Sequence, residues 1–293
     1  MGKDVAQAVP AARKVFDSAN DQLGYNLAAL CFEGPADRLN STEVSQPAIF
    51  VTSVAVWKAL ESVGIARELA PAGMAGLSLG EYTALHLAGW LSFEEGLALV
   101  AERGRLMQAA ADNTPGGMVS LIGLDEAAAE MLCREAAGGQ VLTPANFNCP
   151  GQIVISGDKA ACERAVSLAD AHVAKAVPLA VAGAFHSDLM QSAVEGLERA
   201  LLRAKITPGR IPVVSNVSAG YHGDPDRVRR LLREQVAKPT RWQACVERLI
   251  ADGFDRFVEV GPGRVLTGLM RKIDRSVQAV NYASMSGLTK VPA

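Results

Sequence analysis

Apolar residues along this chain follow two rhythms. Spacings of three and four predict amphipathic helices, and short apolar runs between glycines predict strands. The chain opens in the helical rhythm: "DVAQAVPAARKVFDSANDQL" has apolar residues at helical spacing and no strand ahead of it. "QPAIFVTSVAVWKALESVG" reads as a buried helix that begins after Ser45-Gln46-Pro47. A short apolar strand, "PAGMAG", leads to a helix from Leu79. Ser92-Phe93-Glu94-Glu95 has the form of a capping box and opens a helix running to about Asp112.

The rhythm then changes. Gly116-Gly117 precede the strand "MVSLIGL", followed by the helix "DEAAAEMLCREAA" and the strands "QVLTPANFN" and "GQIVISG". The helix "KAACERAVSLADAH", with His172 at its end, and the strand "AKAVPLAVA" complete a βαββαβ order. That is the split-βαβ, ferredoxin-like unit. Beyond it come the helix "SDLMQSAVEGLERALLRAKI", the strand "IPVVSN" and the helices "PDRVRRLLREQVA" and "RWQACVERLIADG". The strand "RFVEV", the turn Gly261-Pro262-Gly263 and a last helix from Val265 follow, and the tail "SMSGLTKVPA" is expected to be disordered. Alternating strands and helices predict an α/β fold with a mostly parallel sheet. Residues 1–112 and 184–293 are expected to form a discontinuous large α/β subdomain, with 113–183 inserted as a small ferredoxin-like one.

Composition narrows the function classes. The chain has 293 residues, 49% apolar and 20% charged, the profile of a soluble globular protein. A net charge of −2 and 5% aromatic residues offer neither a basic field nor a stacking surface for nucleic acid. The five cysteines, Cys31, Cys133, Cys149, Cys162 and Cys245, form no C-x-x-C pair, so neither metal ligation nor a disulfide frame is expected. The longest apolar stretch, around Ile49 to Leu60, is shorter than a membrane span and contains Lys58. With no signal peptide visible, the expected location is cytoplasmic, away from any membrane.

Candidate chemistry begins at "AGMAGLSLGEYTAL", where Gly76-Leu77-Ser78-Leu79-Gly80 has the Gly-x-Ser-x-Gly spacing of a nucleophile elbow. Glycines on both sides would let a strand turn sharply into a helix. The hydroxyl of Ser78 would then sit at the helix N-terminus, where the Leu79 N–H can meet an oxyanion. The same pattern also suits a serine that merely caps a helix. A nucleophile needs a base, and four histidines are available. His86 lies two turns along the same helix and cannot reach back. His172 reads as surface, and His222 lies in the polar loop "SAGYHGDPD". His186, in "VAGAFHSDLM", follows an apolar strand and precedes a helix, the junction where α/β proteins place their chemistry; a capping or core histidine is the other reading.

Arg103 interrupts an apolar stripe: its neighbours three and four positions away are Leu99, Val100, Leu106 and Met107. Arg105 instead neighbours Glu102 and Gln108 and should be solvated. An inward guanidinium needs an anionic or carbonyl partner. It could form a structural ion pair, let its stem snorkel out, or grip a substrate carboxylate in two parallel hydrogen bonds.

In order, "GLSLGEYTALHLAGWLSFEEGLALVAERGRLMQ", "TPANFNCPGQIVISGD", "AGAFHS", "EQVAKPTRW" and "VEVGPGRVLTGL" resemble the successive motifs of the bacterial malonyl-CoA:acyl carrier protein transacylase family. The resemblance covers nearly the whole chain. It implies an α/β-hydrolase-like core with a ferredoxin-like subdomain. It also implies transfer of a malonyl group from malonyl-CoA to the phosphopantetheine thiol of acyl carrier protein, for fatty-acid or polyketide elongation. Ser78 would be acylated, with His186 as base and then acid. His186 would be oriented by a backbone carbonyl at Gln235, so that no triad Asp is required. Arg103 would bind the malonyl carboxylate. Phe185 would leave little room for a 2-methyl group, and Met107 and Asn146 match pocket positions. No metal or redox cofactor is implied.

The chain departs from the family pattern at two places. Leu77 stands where the family usually has His. Met1-Gly2-Lys3-Asp4 resembles the segment after the family's first strand and Gly-Gln-Gly-x-Gln loop, so a native chain extending upstream is expected, with the loop glutamine N–H as second oxyanion donor. A serine hydrolase or thioesterase, and a truncated relative that only binds carrier protein or coenzyme A, are the rival functions. Arg227, Arg229, Arg230 and Arg233 on one predicted helix form either a docking patch for an acidic carrier protein or a solvated face balanced by Asp226 and Glu234.

Overall fold

Alternating apolar positions between Gly116 and Pro178 form four strands: β1 (Gly116–Ile122), β2 (Leu142–Cys149), β3 (Gln152–Asp158) and β4 (Lys175–Pro178). They appear in a computed structural model that describes residues 1–169 and 175–288. The spatial order is β2-β3-β1-β4, every pair antiparallel, with the helix Glu126–Ala137 between β1 and β2 and the helix Lys159–Leu168 after β3. This is the split-βαβ arrangement expected from the element order. The pleat sorts the side chains. Val119, Leu121, Ile153 and Ile155 face the two helices and pack with Leu132, Cys133, Ala136 and Cys162. Met118 and Val154, on the other face, pack with Ala145 and with Phe185.

By backbone proximity the chain divides into two units: 1–104 with 205–213 and 253–293, and 105–204 with 214–252. The second contains the four-stranded sheet and the helices Gln191–Arg203, Pro225–Gln235 and Trp242–Ala251.

The first unit is largely helical. Pro10 splits the opening helical pattern into Lys3–Ala8 and Pro10–Leu23, with Val9 extended between them. Proline lacks an N–H and pushes the residue before it out of the helical region, yet fits the first helical position. The helix Thr42–Ser62 starts earlier than the sequence suggested and holds Pro47 within it, most of its residues being buried. Ser92 Oγ accepts the Glu95 N–H at 3.1 Å, the expected cap of the helix Phe93–Asn113.

"RFVEV" forms the strand expected of it, whereas the other expected parallel strands do not extend. β5 (Arg256–Val260) pairs in parallel with β6 (Gln278–Tyr282), which the sequence analysis did not identify. "PAGMAG" and "IPVVSN" form no extended strands; they meet in one parallel bridge, Met74 with Val213, where the Met74 N–H donates to the Pro212 carbonyl at 2.9 Å. Three glycines and prolines in each neighbourhood limit a longer ladder. The α/β class stands, with more helix than strand. Met285–Leu288 forms a final helical turn where disorder was expected; 289–293 and His172 lie outside the described residues.

Candidate active site

Ser78 sits at the N-terminal boundary of the helix Leu79–Leu87 with φ 48° and ψ −102°, a conformation that costs a non-glycine residue about 1–3 kcal/mol. Gly76 makes the turn possible. A Cβ there would lie 2.0 Å from the Gly80 carbonyl carbon and 2.1 Å from its oxygen. The requirement is one-sided: a Cβ at Gly80 would meet nothing within 4 Å. The expectation that both glycines relieve crowding is therefore corrected to Gly76 alone. Leu79 is the first helical residue, so its N–H belongs to the first-turn donors that no intrahelical carbonyl satisfies.

Arg103 is only 2% exposed, which rules out a snorkelling stem. Its Nη2 donates to Ser78 Oγ at 2.9 Å, and its Nη1 donates to Gln46 Oε1 at 2.6 Å. The guanidinium carbon lies 5.5 Å from the Tyr82 ring centroid. Burial lowers the Arg103 pKa, opposed by the nearby Tyr82 and Glu81; burial likewise raises the Tyr82 hydroxyl strongly. Gln46 escaped the sequence reading, which took it as part of a helix start. Its one signal is a long amide at the edge of an apolar run, just before Pro47. Arg105 is exposed, as expected.

His186, 4% exposed, also has a positive φ, 58°. The tight turn around it explains this. The Phe185 N–H donates to the Gly183 carbonyl at 3.1 Å, and Ser187 Oγ donates to the Ala184 carbonyl at 2.6 Å. His186 Nδ1 lies 2.7 Å from the Gln235 backbone carbonyl. A carbonyl only accepts, so Nδ1 carries the proton and Nε2 is the basic nitrogen. Gln235 is the last residue of the helix Pro225–Gln235, so its carbonyl is at the negative end of the helix dipole and would stabilise an imidazolium. Beyond it, Thr240 is tied to β2: its N–H donates to the Ala145 carbonyl at 2.8 Å, and its carbonyl accepts the Phe147 N–H at 2.9 Å. A cavity of about 220 Å³ opens on His186, lined in part by Thr143, Phe147, Asp188, Lys238 and Arg241.

Phe185 is half-buried against Met118, Ala145 and Val154. Asn146 is buried on β2 between two register shifts, and Met107 is buried in its helix. Asn148, two residues on, is buried with no hydrogen-bond partner for Oδ1 among the described residues.

Among the described histidines, His86 fits a structural role. His86 Nδ1 lies 3.0 Å from the Leu91 carbonyl, and its ring sits beside the stacked Phe50 and Phe93 rings. His222, in the polar loop "SAGYHGDPD", is buried. Two of the four clustered arginines are committed internally. Arg229 donates to the Leu201 and Ala204 carbonyls and to Asp226, and Arg233 pairs with Glu198 at 2.8 Å. Among the described residues no cluster of His, Cys, Asp or Glu could hold a metal ion, and no helix is long and apolar enough to cross a membrane.

Comparison with known proteins gives the family of the chain. The acyl transferase domain family matches residues 1–291. The malonyl CoA-acyl carrier protein transacylase of Bacillus subtilis (strain 168) is 41% identical over 282 residues, 96% of this chain and 88% of that protein. Its counterpart in Escherichia coli (strain K12) is 42% identical over 271 residues, covering 92% and 87% of the two chains. Among solved structures, the transacylase of Xanthomonas oryzae pv. oryzae superposes with a TM-score of 0.93 at 43% identity, covering 98% of this chain and 91% of that one. A malonyl-transacylase in complex with a type II PKS acyl-carrier protein gives a TM-score of 0.93 at 40% identity, covering 98% and 93%.

Proposed function

The chain belongs to the acyl transferase domain family, and from that premise we propose that it moves a malonyl group from malonyl-CoA to the phosphopantetheine thiol of acyl carrier protein. The observation that carries this is Arg103. A buried guanidinium bonded to the candidate nucleophile suits an acyl chain ending in a carboxylate, because it offers that carboxylate a charge-assisted, two-pronged grip.

Each step assigns a named role. His186 Nε2 takes the proton of Ser78 as Oγ attacks the thioester carbonyl. The Leu79 N–H stabilises the resulting oxyanion. The carbon–sulfur bond then breaks, and coenzyme A leaves with the proton from the imidazolium, giving malonyl-Ser78. The carrier-protein thiol enters, loses its proton to His186 and attacks the ester; Ser78 recovers its proton as malonyl leaves on the new thioester. The Gln235 carbonyl keeps one tautomer throughout. Thioester exchange is nearly balanced in energy, so the protein's work is to position groups and exclude water. Phe185 disfavours a 2-methyl substituent, while Met107 and Asn146 shape the acyl pocket. Residues 113–183 are assigned as an insertion in a larger domain of 1–112 and 184–293; the uninterrupted βαββαβ order supports it.

Intact mass spectrometry after mixing with malonyl-CoA tests the proposal. One malonyl group should be gained, and Ser78→Ala should abolish it. Malonate and coenzyme A released without carrier protein would favour a hydrolase. A folded chain that forms no adduct and releases no coenzyme A would favour a binding role.

A further inference from the structure

Glu81 is a fully buried carboxylate with no role in the chemistry above. It lies three residues beyond Ser78, in the first turn of Leu79–Leu87, and its N–H donates to the Ser78 carbonyl at 3.2 Å. A glutamate in a first turn ordinarily answers the helix dipole from the surface. One removed wholly from water needs a cation, because an uncompensated buried carboxylate is strongly disfavoured. Arg103 is the buried cation of the same unit, with its fork fixed on Gln46 and Ser78 and its guanidinium beside the Tyr82 ring, the residue next to Glu81. The two charges attract one another, and this attraction opposes the burial that disfavours the guanidinium's charged form.

We propose that Glu81 is a positioning residue, whose buried carboxylate holds the Arg103 guanidinium charged and oriented beside Ser78 before a substrate carboxylate arrives. The inference rests on the reading of Arg103 as the malonyl clamp. An arginine taken out of water alone would be drawn toward solvent, and its fork would be fixed only when substrate bound. A compensating charge behind it makes the fork part of the resting structure, so that less ordering remains to be done on binding. Acyl groups without a carboxylate should be indifferent to it.

Glu81→Gln removes the charge at nearly constant shape, and Glu81→Asp keeps the charge on a shorter stem. In the full chain, Glu81→Gln should raise the KM for malonyl-CoA at least about tenfold while kcat stays within about threefold. Acetylation of Ser78 by acetyl-CoA, followed by intact mass, should keep its parental rate. Glu81→Asp should recover part of the loss. An unchanged malonyl-CoA KM, or equal losses with both acyl groups, overturns the proposal. Thermal unfolding of Glu81→Gln, Arg103→Gln and the double variant reads the pairing without activity. The double variant should lose less in Tm than the sum of the single losses; additive losses overturn it. A parent chain that forms no malonyl adduct overturns the transferase reading instead, and the thermal cycle then decides the Glu81–Arg103 pairing.

Discussion

Arg103 Nη2 donates to Ser78 Oγ at 2.9 Å, so one guanidinium touches the candidate nucleophile. The contact links recognition to reaction. A carboxylate seated on this fork would fix its acyl chain close to the attacking oxygen. Arg103→Ala should therefore lower kcat/KM for malonyl-CoA by about 10²–10³-fold, the scale of about 3–4 kcal/mol expected for losing a buried charged contact. Loading from acetyl-CoA should fall far less. Steady-state rates with both thioesters check this, and equal losses for the two would remove Arg103 as the carboxylate clamp.

The elbow makes an asymmetric prediction. Gly76→Ala places a methyl group 2.0 Å from the Gly80 backbone, so the turn cannot keep its shape. That variant should lose the malonyl-serine adduct or fail to fold. Gly80→Ala meets nothing within 4 Å, and Gly80 lies inside a helix. It should stabilise the protein by about 0.5–1 kcal/mol, because alanine gives up less freedom in a helix. Circular dichroism melts of both variants decide the matter, and a Gly80→Ala chain as damaged as Gly76→Ala would contradict the geometry.

Gln235 contributes its carbonyl rather than its amide. The 2.7 Å contact to His186 runs to the backbone oxygen. Gln235→Ala should lower Tm, since the side chain is fully buried, yet leave the rate of Ser78 malonylation within about threefold of the parent. His186→Ala should slow the same step by about 10²–10⁴-fold, the usual loss for a general base. Stopped-flow loading followed by mass spectrometry separates them. A Gln235→Ala defect as large as that of His186→Ala would assign the role to the side chain.

Two parts of this site are legible in the sequence because they break their local pattern. Arg103 in an apolar stripe and Ser78 between glycines announced themselves. His186 stood at a strand-to-helix junction and was left by elimination. Gln46 did not stand out, because one amide near a proline reads as a helix start. Glu81 looked like an ordinary first-turn acid, and only burial shows that it is not. The four-stranded sheet was legible because its alternation is long and bounded by turns. Of the parallel strands only β5, read as "RFVEV", is legible; β6 has five residues and no turn signal before it, and the Met74–Val213 pairing is a single bridge. Such pairings are long-range, and no local period reports them.

Arg229 separates capping from docking. Its guanidinium holds the Leu201 and Ala204 carbonyls, at the end of the helix Gln191–Arg203. Arg229→Ala should cost about 1–2 kcal/mol through the lost hydrogen bonds. It should leave the carrier-protein KM unchanged. Arg230 is exposed, and Arg230→Glu offers the cleaner trial of a docking patch. A carrier-protein KM that rises in Arg229→Ala at unchanged Tm would return Arg229 to the interface.

His86 supplies a pH dependence of stability. Burial beside Phe50 and Phe93 disfavours its imidazolium, so its pKa lies below the ordinary 6.5. The unfolded chain then binds more protons than the folded one as pH falls below about 6.5, and stability is lost in that direction. Above that value both states carry the neutral ring and the effect vanishes. His86→Asn keeps an N–H where Nδ1 faces the Leu91 carbonyl but cannot titrate. The parent should therefore lose more Tm than His86→Asn between pH 7.5 and pH 5. Equal losses in the two proteins would mean that the acid sensitivity arises from other groups.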